Sequence, residues 1–292
     1  MTNSSDQAAS LRQHLAKKKS LQSKRAVCCI AVASGKGGVG KTFISVNLAV
    51  AFAQLGKKVL LVDSDLGLAN ADIVLGVNPK YSLQDAIFKG KKLAEVVEKT
   101  PFGIDLLAAS SGSKEMVSLG QARMSMFINE LIAFATNYDV VIFDCAAGID
   151  HNVTAFIAAT PQSVIVANPQ PTSLMDVYAL IKLIHQDNLT SDIGIVVNTA
   201  ESYEQGEGVV KALNQVAQAY LSKSIDLLGV VKRSPLVTRA LHMRKPFIEA
   251  FKEDDVSEDI RKIAGRILKK QAGANNLEAL DGEKLLKGLL NV

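Results

Sequence analysis

The sequence contains no tryptophan, only seven prolines and only three cysteines among 292 residues. The cysteines, Cys28, Cys29 and Cys145, are odd in number and lie inside apolar runs, which excludes a disulfide framework and a metal-spaced pair. Long apolar runs are also missing, because the longest spans residues 26–33, whereas a membrane-spanning helix needs about 18 residues. The first residues are polar and lack the apolar stretch of a signal peptide. These absences predict a cytoplasmic protein in a reducing compartment.

Composition and charge narrow the class of protein. Hydrophobic residues make up 48% and charged residues 21%, a balance typical of a globular α/β protein. Residues 1–25 carry six Lys or Arg against one Asp, and residues 261–292 carry seven against three acids, so the body between them has a net charge of −5 within a total of +4. Basic ends favour contact with an anionic surface or an acidic partner, and the acidic body argues against direct nucleic-acid binding over a broad face.

Short apolar runs recur along the chain and are typical of strands buried on both faces. They span residues 27–33, 59–62, 104–107, 140–143, 164–167, 193–197 and 227–231. Amphipathic stretches of helical length lie between most of them, at residues 42–55, 124–136, 176–186 and 208–222. This alternation predicts an α/β fold with a doubly wound, mostly parallel sheet and helices on both faces. We expect residues 26–270 to form one domain, with residues 1–25 and 271–292 as appendages.

A glycine-rich segment after the first predicted strand matches the phosphate-loop pattern G-x-x-x-x-G-K-[ST]. The match consists of Gly35, Lys36, Gly37, Gly38, Val39, Gly40, Lys41 and Thr42. Glycines let successive backbone N–H groups point at phosphate oxygens, and the helix that follows adds its positive N-terminal end. We therefore expect Lys41 to contact the β- and γ-phosphates of ATP or ADP, and the Thr42 hydroxyl to contact Mg²⁺.

Carboxylates follow two other predicted strands. Asp63 and Asp65 lie on the same side of an extended segment, which suits a shared metal and water site, although a pair of turn-capping aspartates is the alternative. Asp144 ends an apolar run in the Walker B arrangement, which predicts a place in the Mg²⁺ shell. Gly148 would let the backbone approach the γ-phosphate. Ligands bind at the carboxyl ends of strands in α/β sheets, so these groups are expected to meet.

Base recognition depends on weaker signals. Asn198 ends another predicted strand, and its amide could pair with an adenine edge. The sequence lacks the N-K-x-D signature of guanine-binding proteins, which favours ATP.

The loop Gly-Lys-Gly-Gly-Val-Gly-Lys-Thr resembles the deviant Walker A motif of the MinD/ParA family of P-loop ATPases, and the resemblance covers residues 26–265. It implies a MinD-like P-loop fold and a homodimer that forms with ATP. In such a dimer Lys36 would act on the partner's nucleotide in the manner of an arginine finger. The resemblance also implies that Asp65 positions the attacking water, that Asp63 helps to hold hydrated Mg²⁺, and that Asn70 lies at the dimer interface. The implied catalytic residues are Lys36, Lys41 and Asp65.

Residues 6–12 resemble the N-terminal activating motif of the flagellar-number regulators within this family, the FlhG or FleN group. The resemblance implies that this segment stimulates the GTPase FlhF through a face made by Asp6, Gln7, Ala8, Leu11 and Arg12. Further similarity lies in residues 66–72, 109–112, 146–149 and 171–182. The group's other implied partners are flagellar C-ring switch proteins and a flagellar transcription activator.

The last segment is amphipathic and resembles a C-terminal membrane-targeting helix. Its leucines form one stripe beside lysines that suit anionic lipid headgroups, and the residues concerned are Lys284, Leu285, Leu286, Lys287, Leu289 and Leu290. This implies a peripheral location on the inner face of the cell membrane in the ATP state. The alternative is a helix that packs on its own domain, and both can hold in different nucleotide states.

Together these features predict an ATP-dependent dimerising switch with slow hydrolysis that regulates flagellar number and placement. A DNA-partition ATPase is one alternative, supported by a basic patch of Lys232, Arg233, Arg239, Arg244 and Lys245. An ATP-binding scaffold without turnover is a second. An iron–sulfur scaffold is poorly supported, because Cys28 and Cys29 lie within the first predicted strand.

Overall fold

The structure is a computed structural model that describes residues 27–65, 69–109, 121–187, 189, 192–221, 224–272 and 280–290. Its strands form one sheet in the order β3-β4-β2-β5-β1-β6-β7-β8, in which every neighbouring pair is parallel except β3–β4. The strands are β1 (Cys28–Ser34), β2 (Val59–Asp63), β3 (Glu98–Lys99), β4 (Ile104–Leu107), β5 (Val140–Ala147), β6 (Gln162–Ala167), β7 (Asp192–Ala200) and β8 (Asp226–Lys232).

Helices cover both faces of the sheet. They are α1 (Lys41–Gln54), α2 (Ala71–Leu75), α3 (Leu83–Lys89), α4 (Leu93–Val96), α5 (Gln121–Ala135), α6 (His151–Ala159), α7 (Pro171–Gln186), α8 (Tyr203–Leu221), α9 (Leu236–His242), α10 (Phe247–Ala250), α11 (Asp255–Ala272) and α12 (Gly282–Leu290). Apolar side chains of α1, α2, α9, α10 and α11 pack on one face, and those of α3 to α8 and α12 pack on the other. The strand β1 is buried on both sides because alternate residues contribute to the two cores.

The predicted fold class and all seven predicted strands are confirmed. Helix α7 begins earlier than predicted, at Pro171, because proline at the first helical position is already fixed in a helical φ. The edge strand β3 and the short helices α2 to α4 were not predicted, since helices of four to seven residues span at most two turns and β3 consists of two charged residues. No helix in the described part of the chain is long and apolar enough to cross a membrane.

The predicted C-terminal helix forms as α12 and packs on its own domain. Leu285 is fully buried, and Leu286, Leu289 and Leu290 pack partly buried against the same core. A Cβ on Gly288 would lie 2.4 Å from the Cβ of Ala155 in α6, so the two helices are in close contact. The structure therefore has the arrangement that was the alternative to membrane contact.

Candidate nucleotide-binding site

The phosphate-binding loop connects β1 to α1 and has the backbone conformation that its glycines permit. Gly38 and Gly40 have φ values of 80° and 88°, in the left-handed region that favours glycine. A Cβ on Gly38 would meet no atom within 4 Å, so the space beside this glycine is open. Gly35 is different, because a Cβ there would lie 2.5 Å from the carbonyl of Asp176 in α7. The start of the loop is thus packed directly against α7.

Lys41 and Asp144 form a buried ion pair below this loop. Lys41 Nζ lies 2.8 Å from Asp144 Oδ1, and the same oxygen accepts a 2.8 Å hydrogen bond from Ser45 Oγ. Burial alone lowers the pKa of Lys41, but the charge of Asp144 and its hydrogen bond outweigh burial and raise the pKa above its ordinary value. The lysine is therefore charged and held against Asp144 of β5.

Asp63 lies beside Asp144, because the two residues are in register on the neighbouring strands β2 and β5. Burial, and then the charge of Asp144, raise the pKa of Asp63 to about 7. Its carboxylate accepts hydrogen bonds from the backbone N–H groups of Asp65 at 3.1 Å, Asn70 at 3.1 Å and Ala71 at 3.2 Å. Asp63 thus accepts the backbone hydrogen bonds that the turn-capping alternative expects of it, and the places of Asp63 and Asp65 in a metal and water site stay predictions.

Lys36 does not join the Lys41–Asp144 cluster. Its Nζ donates to Thr172 Oγ1 at 2.8 Å and to Gln170 Oε1 at 3.4 Å, at the start of α7. The Lys36 carbonyl accepts from Ser34 Oγ at 2.9 Å, which fixes the backbone beneath the side chain. Lys36 is thus held half-buried against the start of α7 on its own subunit.

The remaining predicted site residues fall into two groups. Gly148, with φ of 106°, donates its N–H to the Ser34 carbonyl at 2.9 Å, and Thr42 lies in the first turn of α1. Asn198 lies within reach of the loop, but its Nδ2 donates to the Val39 carbonyl at 2.8 Å, which is a different contact from the predicted one with adenine.

The predicted partner-binding residues cannot be placed in the same way. Asp6, Gln7, Ala8, Leu11 and Arg12 lie outside the described residues.

Sequence reasoning missed three polar residues that the structure places at the site. Ser45 follows Lys41 by four residues, so the i, i+4 spacing on one helix face was the available signal. Gln170 and Thr172 follow the end of β6, where polar residues after a buried strand indicate a ligand-facing edge.

Comparison with known proteins agrees with this geometry. A family model described as an AAA domain matches residues 27–197. Antiactivator FleN of Pseudomonas aeruginosa is 36% identical over 249 residues, which cover 85% of this chain and 89% of FleN. The septum site-determining protein MinD of Bacillus subtilis is 33% identical, over 82% of this chain and 88% of that protein. The chain belongs to the MinD/ParA family of P-loop ATPases.

Other relatives and solved structures are consistent with this family. The flagellum site-determining protein YlxH of Helicobacter pylori is 31% identical over 89% of each chain. The cell division ATPase MinD of Pyrococcus furiosus superposes with a TM-score of 0.70 at 23% identity, over 83% of this chain and 99% of that one. MinD of Pyrococcus horikoshii, solved in complex with Mg-ADP, also has a TM-score of 0.70, at 24% identity, over 86% of this chain and all of that one. At these identities the solved structures show the shared fold.

The three cysteines do not form a site for an iron–sulfur cluster. Cys28, Cys29 and Cys145 are all buried, and burial raises the pKa of Cys29 and of Cys145 to about 12. Thiols of this kind are poor metal ligands, since a ligand must be the thiolate.

Proposed function

We propose that this ATPase is a dimerising switch that hydrolyses ATP slowly and regulates the number and placement of flagella. The observation that carries the proposal is the separation of the two loop lysines. Lys41 is buried and paired with Asp144, whereas Lys36 is half-buried, points away from that pair and contacts the start of α7. Lys36 is not part of the ion pair beneath its own phosphate-binding loop. Its charge is therefore available to the nucleotide of a partner subunit.

The residues of the site fit MgATP. Backbone N–H groups of the loop and Lys41 would hold the phosphates, and Thr42, Asp144 and Asp63 would hold hydrated Mg²⁺. When bound, Mg²⁺ neutralises phosphate charge, and ATP supplies the phosphoryl group that water accepts. Asp65 would orient that water, and the bond from the Asp65 N–H to Asp63 fixes where Asp65 lies.

Dimerisation and hydrolysis are tested together by measuring Mg²⁺-dependent ATP hydrolysis against protein concentration. We expect the specific activity to rise with concentration, because each site needs the partner's Lys36. Lys36→Ala should still bind ATP and lose turnover, while Lys262→Ala, an exposed lysine paired with Glu258 on α11, should match the wild type. Activity independent of concentration would contradict a trans-acting lysine, and ATP binding without any turnover would indicate a scaffold.

Membrane contact in the ATP state is the second part of the proposal. Helix α12 carries exposed Lys287 and half-buried Lys284 beside its leucine stripe. The leucines are packed on α6, whose N-cap, Asp150, lies two residues after Gly148. Movement of the backbone near a γ-phosphate could therefore loosen the docked helix. One short amphipathic helix binds a membrane weakly, and a dimer presents two.

The flagellar role rests on relatives named FleN and YlxH. By the same similarity we propose FlhF, flagellar C-ring switch proteins and a flagellar transcription activator as partners, with residues 6–12 contacting FlhF. A DNA-partition role is less well supported, since Lys232 is paired with Asp255 and Arg233 with Glu201 in the basic patch.

A further inference from the structure

The end of β7 departs from regular strand geometry at Thr199. Asn198 pairs with Val231 of β8 and Ala200 pairs with Lys232, so β7 contains one extra residue at this point. Thr199 has a φ of 58°, which is unfavourable for a β-branched side chain. A bulge of this kind redirects the neighbouring side chain, and strained residues of this kind cluster at functional sites.

The side chain beside the bulge is directed at the phosphate-binding loop. Asn198 is 5% exposed, and its Nδ2 donates to the Val39 carbonyl at 2.8 Å. That nitrogen lies 2.2 Å from the position that a Cβ on Gly40 would occupy. The amide is thus packed against two consecutive loop residues, immediately before Lys41.

We infer that Asn198 is a positioning residue, which holds the loop in its phosphate-binding conformation rather than reading the base. Val39 and Gly40 set the direction of the following N–H groups, and Gly40 is the N-cap residue of α1. A buried hydrogen bond to the Val39 carbonyl restricts that backbone before any ligand arrives. This inference rests on the proposed binding of ATP. It makes Asn198 important for binding the phosphates of ATP, through the loop, and not for recognising the base.

Binding of the phosphates can be measured apart from recognition of the base, because tripolyphosphate has phosphates and no base. We would measure dissociation constants for MgATP, MgGTP and magnesium tripolyphosphate by calorimetry, in the wild type and in Asn198→Ala. Loss of one such hydrogen bond is expected to weaken binding of all three ligands by the same factor, roughly threefold to tenfold. The ratio of ATP to GTP affinity should stay at its wild-type value.

A second readout needs no ligand. Hydrogen exchange of the peptide covering residues 35–42 should be faster in Asn198→Ala than in the wild type, because the loop has lost its brace. The control is Asn214→Ala, since the side chain of Asn214 on α8 is likewise hydrogen-bonded to backbone. It donates to the Ile225 carbonyl and accepts from the Ile225 N–H, just before β8. This control should leave the affinities and the loop exchange unchanged. If Asn198→Ala does not fold, Asn198→Leu keeps the branched shape of the side chain with the same number of heavy atoms and also lacks the donor.

The outcomes are distinct. Equal weakening with faster loop exchange supports the inference. Loss of ATP-to-GTP discrimination with unchanged tripolyphosphate binding overturns it and makes Asn198 a base reader, and unchanged affinities with unchanged loop exchange overturn it as well. Wild-type protein that binds none of the three ligands overturns the proposed function together with this inference.

Discussion

At the scale of single residues, the buried Lys41–Asp144 pair makes the proposed phosphate ligand a determinant of stability as well. The side chains are 8% and 1% exposed, so removing the lysine leaves a buried carboxylate without its cation. We expect Lys41→Ala to lower the free energy of unfolding by about 3 kcal/mol without nucleotide, measured by urea denaturation. The loss should be smaller in an Asp144→Asn background, where no charge is stranded.

The matched control is Lys262→Ala, which breaks an ion pair of similar length, 2.7 Å, between exposed side chains. It should change stability by about 0.5 kcal/mol or less. Equal losses for the two lysine variants would contradict the structural part that we assign to Lys41.

The sequence predicts the place of the loop between a strand and a helix, and the structure has the loop there, between β1 and α1. It predicts less about side-chain direction. Asn198 was recognisable as a polar residue at a strand end, but the bulge at Thr199 that aims its amide at Val39 arises from register with β8. The same limit applies to Lys36, whose hydrogen bond to Thr172 depends on where α7 packs.

Among the helices and strands, α12 gives the clearest test of the proposed membrane contact. Deleting residues 282–292 should abolish ATP-dependent sedimentation with anionic vesicles and leave ATP-dependent dimerisation intact. It should also lower the melting temperature, since Leu285 is fully buried in the domain.

A variant that keeps the docked leucines separates the loss of membrane binding from the loss of stability. Lys284→Gln combined with Lys287→Gln should weaken sedimentation and leave the melting temperature near the wild-type value, because the ion pairs that are lost, Lys284–Asp281 and Lys287–Glu283, both lie open to solvent. Full sedimentation of the deletion variant would show that α12 is not the membrane contact.

Helix α11 contains a glycine that its packing does not require. A Cβ on Gly265 would meet no atom within 4 Å, whereas one on Gly229 in β8 would lie 2.4 Å from the side chain of Ile263. Gly265→Ala should therefore raise the free energy of unfolding by about 0.5 to 1 kcal/mol. Gly229→Ala should lower it by at least about 1 kcal/mol. A stability loss in Gly265→Ala would contradict the packing of α11.

Element prediction succeeded for the apolar strands and for four long helices, whereas the 18-residue helix α11 was not predicted although its apolar residues recur at helical spacing. The apolar strands and the helices of fourteen or more residues among α1 to α8 follow directly from the alternation of the sequence. The pair β3–β4 was missed because β3 consists of Glu98 and Lys99, which carry no apolar pattern. The sequence suggested a leucine stripe for α12 but not which surface covers it, since only the fold brings α6 beneath it.

At the scale of the whole molecule, the proposed function is a switch that works as a dimer. In the sequence, positive charge is concentrated in residues 1–25 and 261–292, which include the segments proposed to contact partners and membrane. The central claim is that ATP brings two copies together and that Lys36 of each completes the other's site.

The most direct measurement is the mass in solution by light scattering, with MgADP or MgATP, in an Asp65→Ala background that should bind ATP and not hydrolyse it. The account predicts the monomer mass of 31.2 kDa with ADP, twice that mass with ATP, and a weakened dimer when Lys36→Ala is added. A protein that binds MgATP and remains a monomer in every state would contradict it.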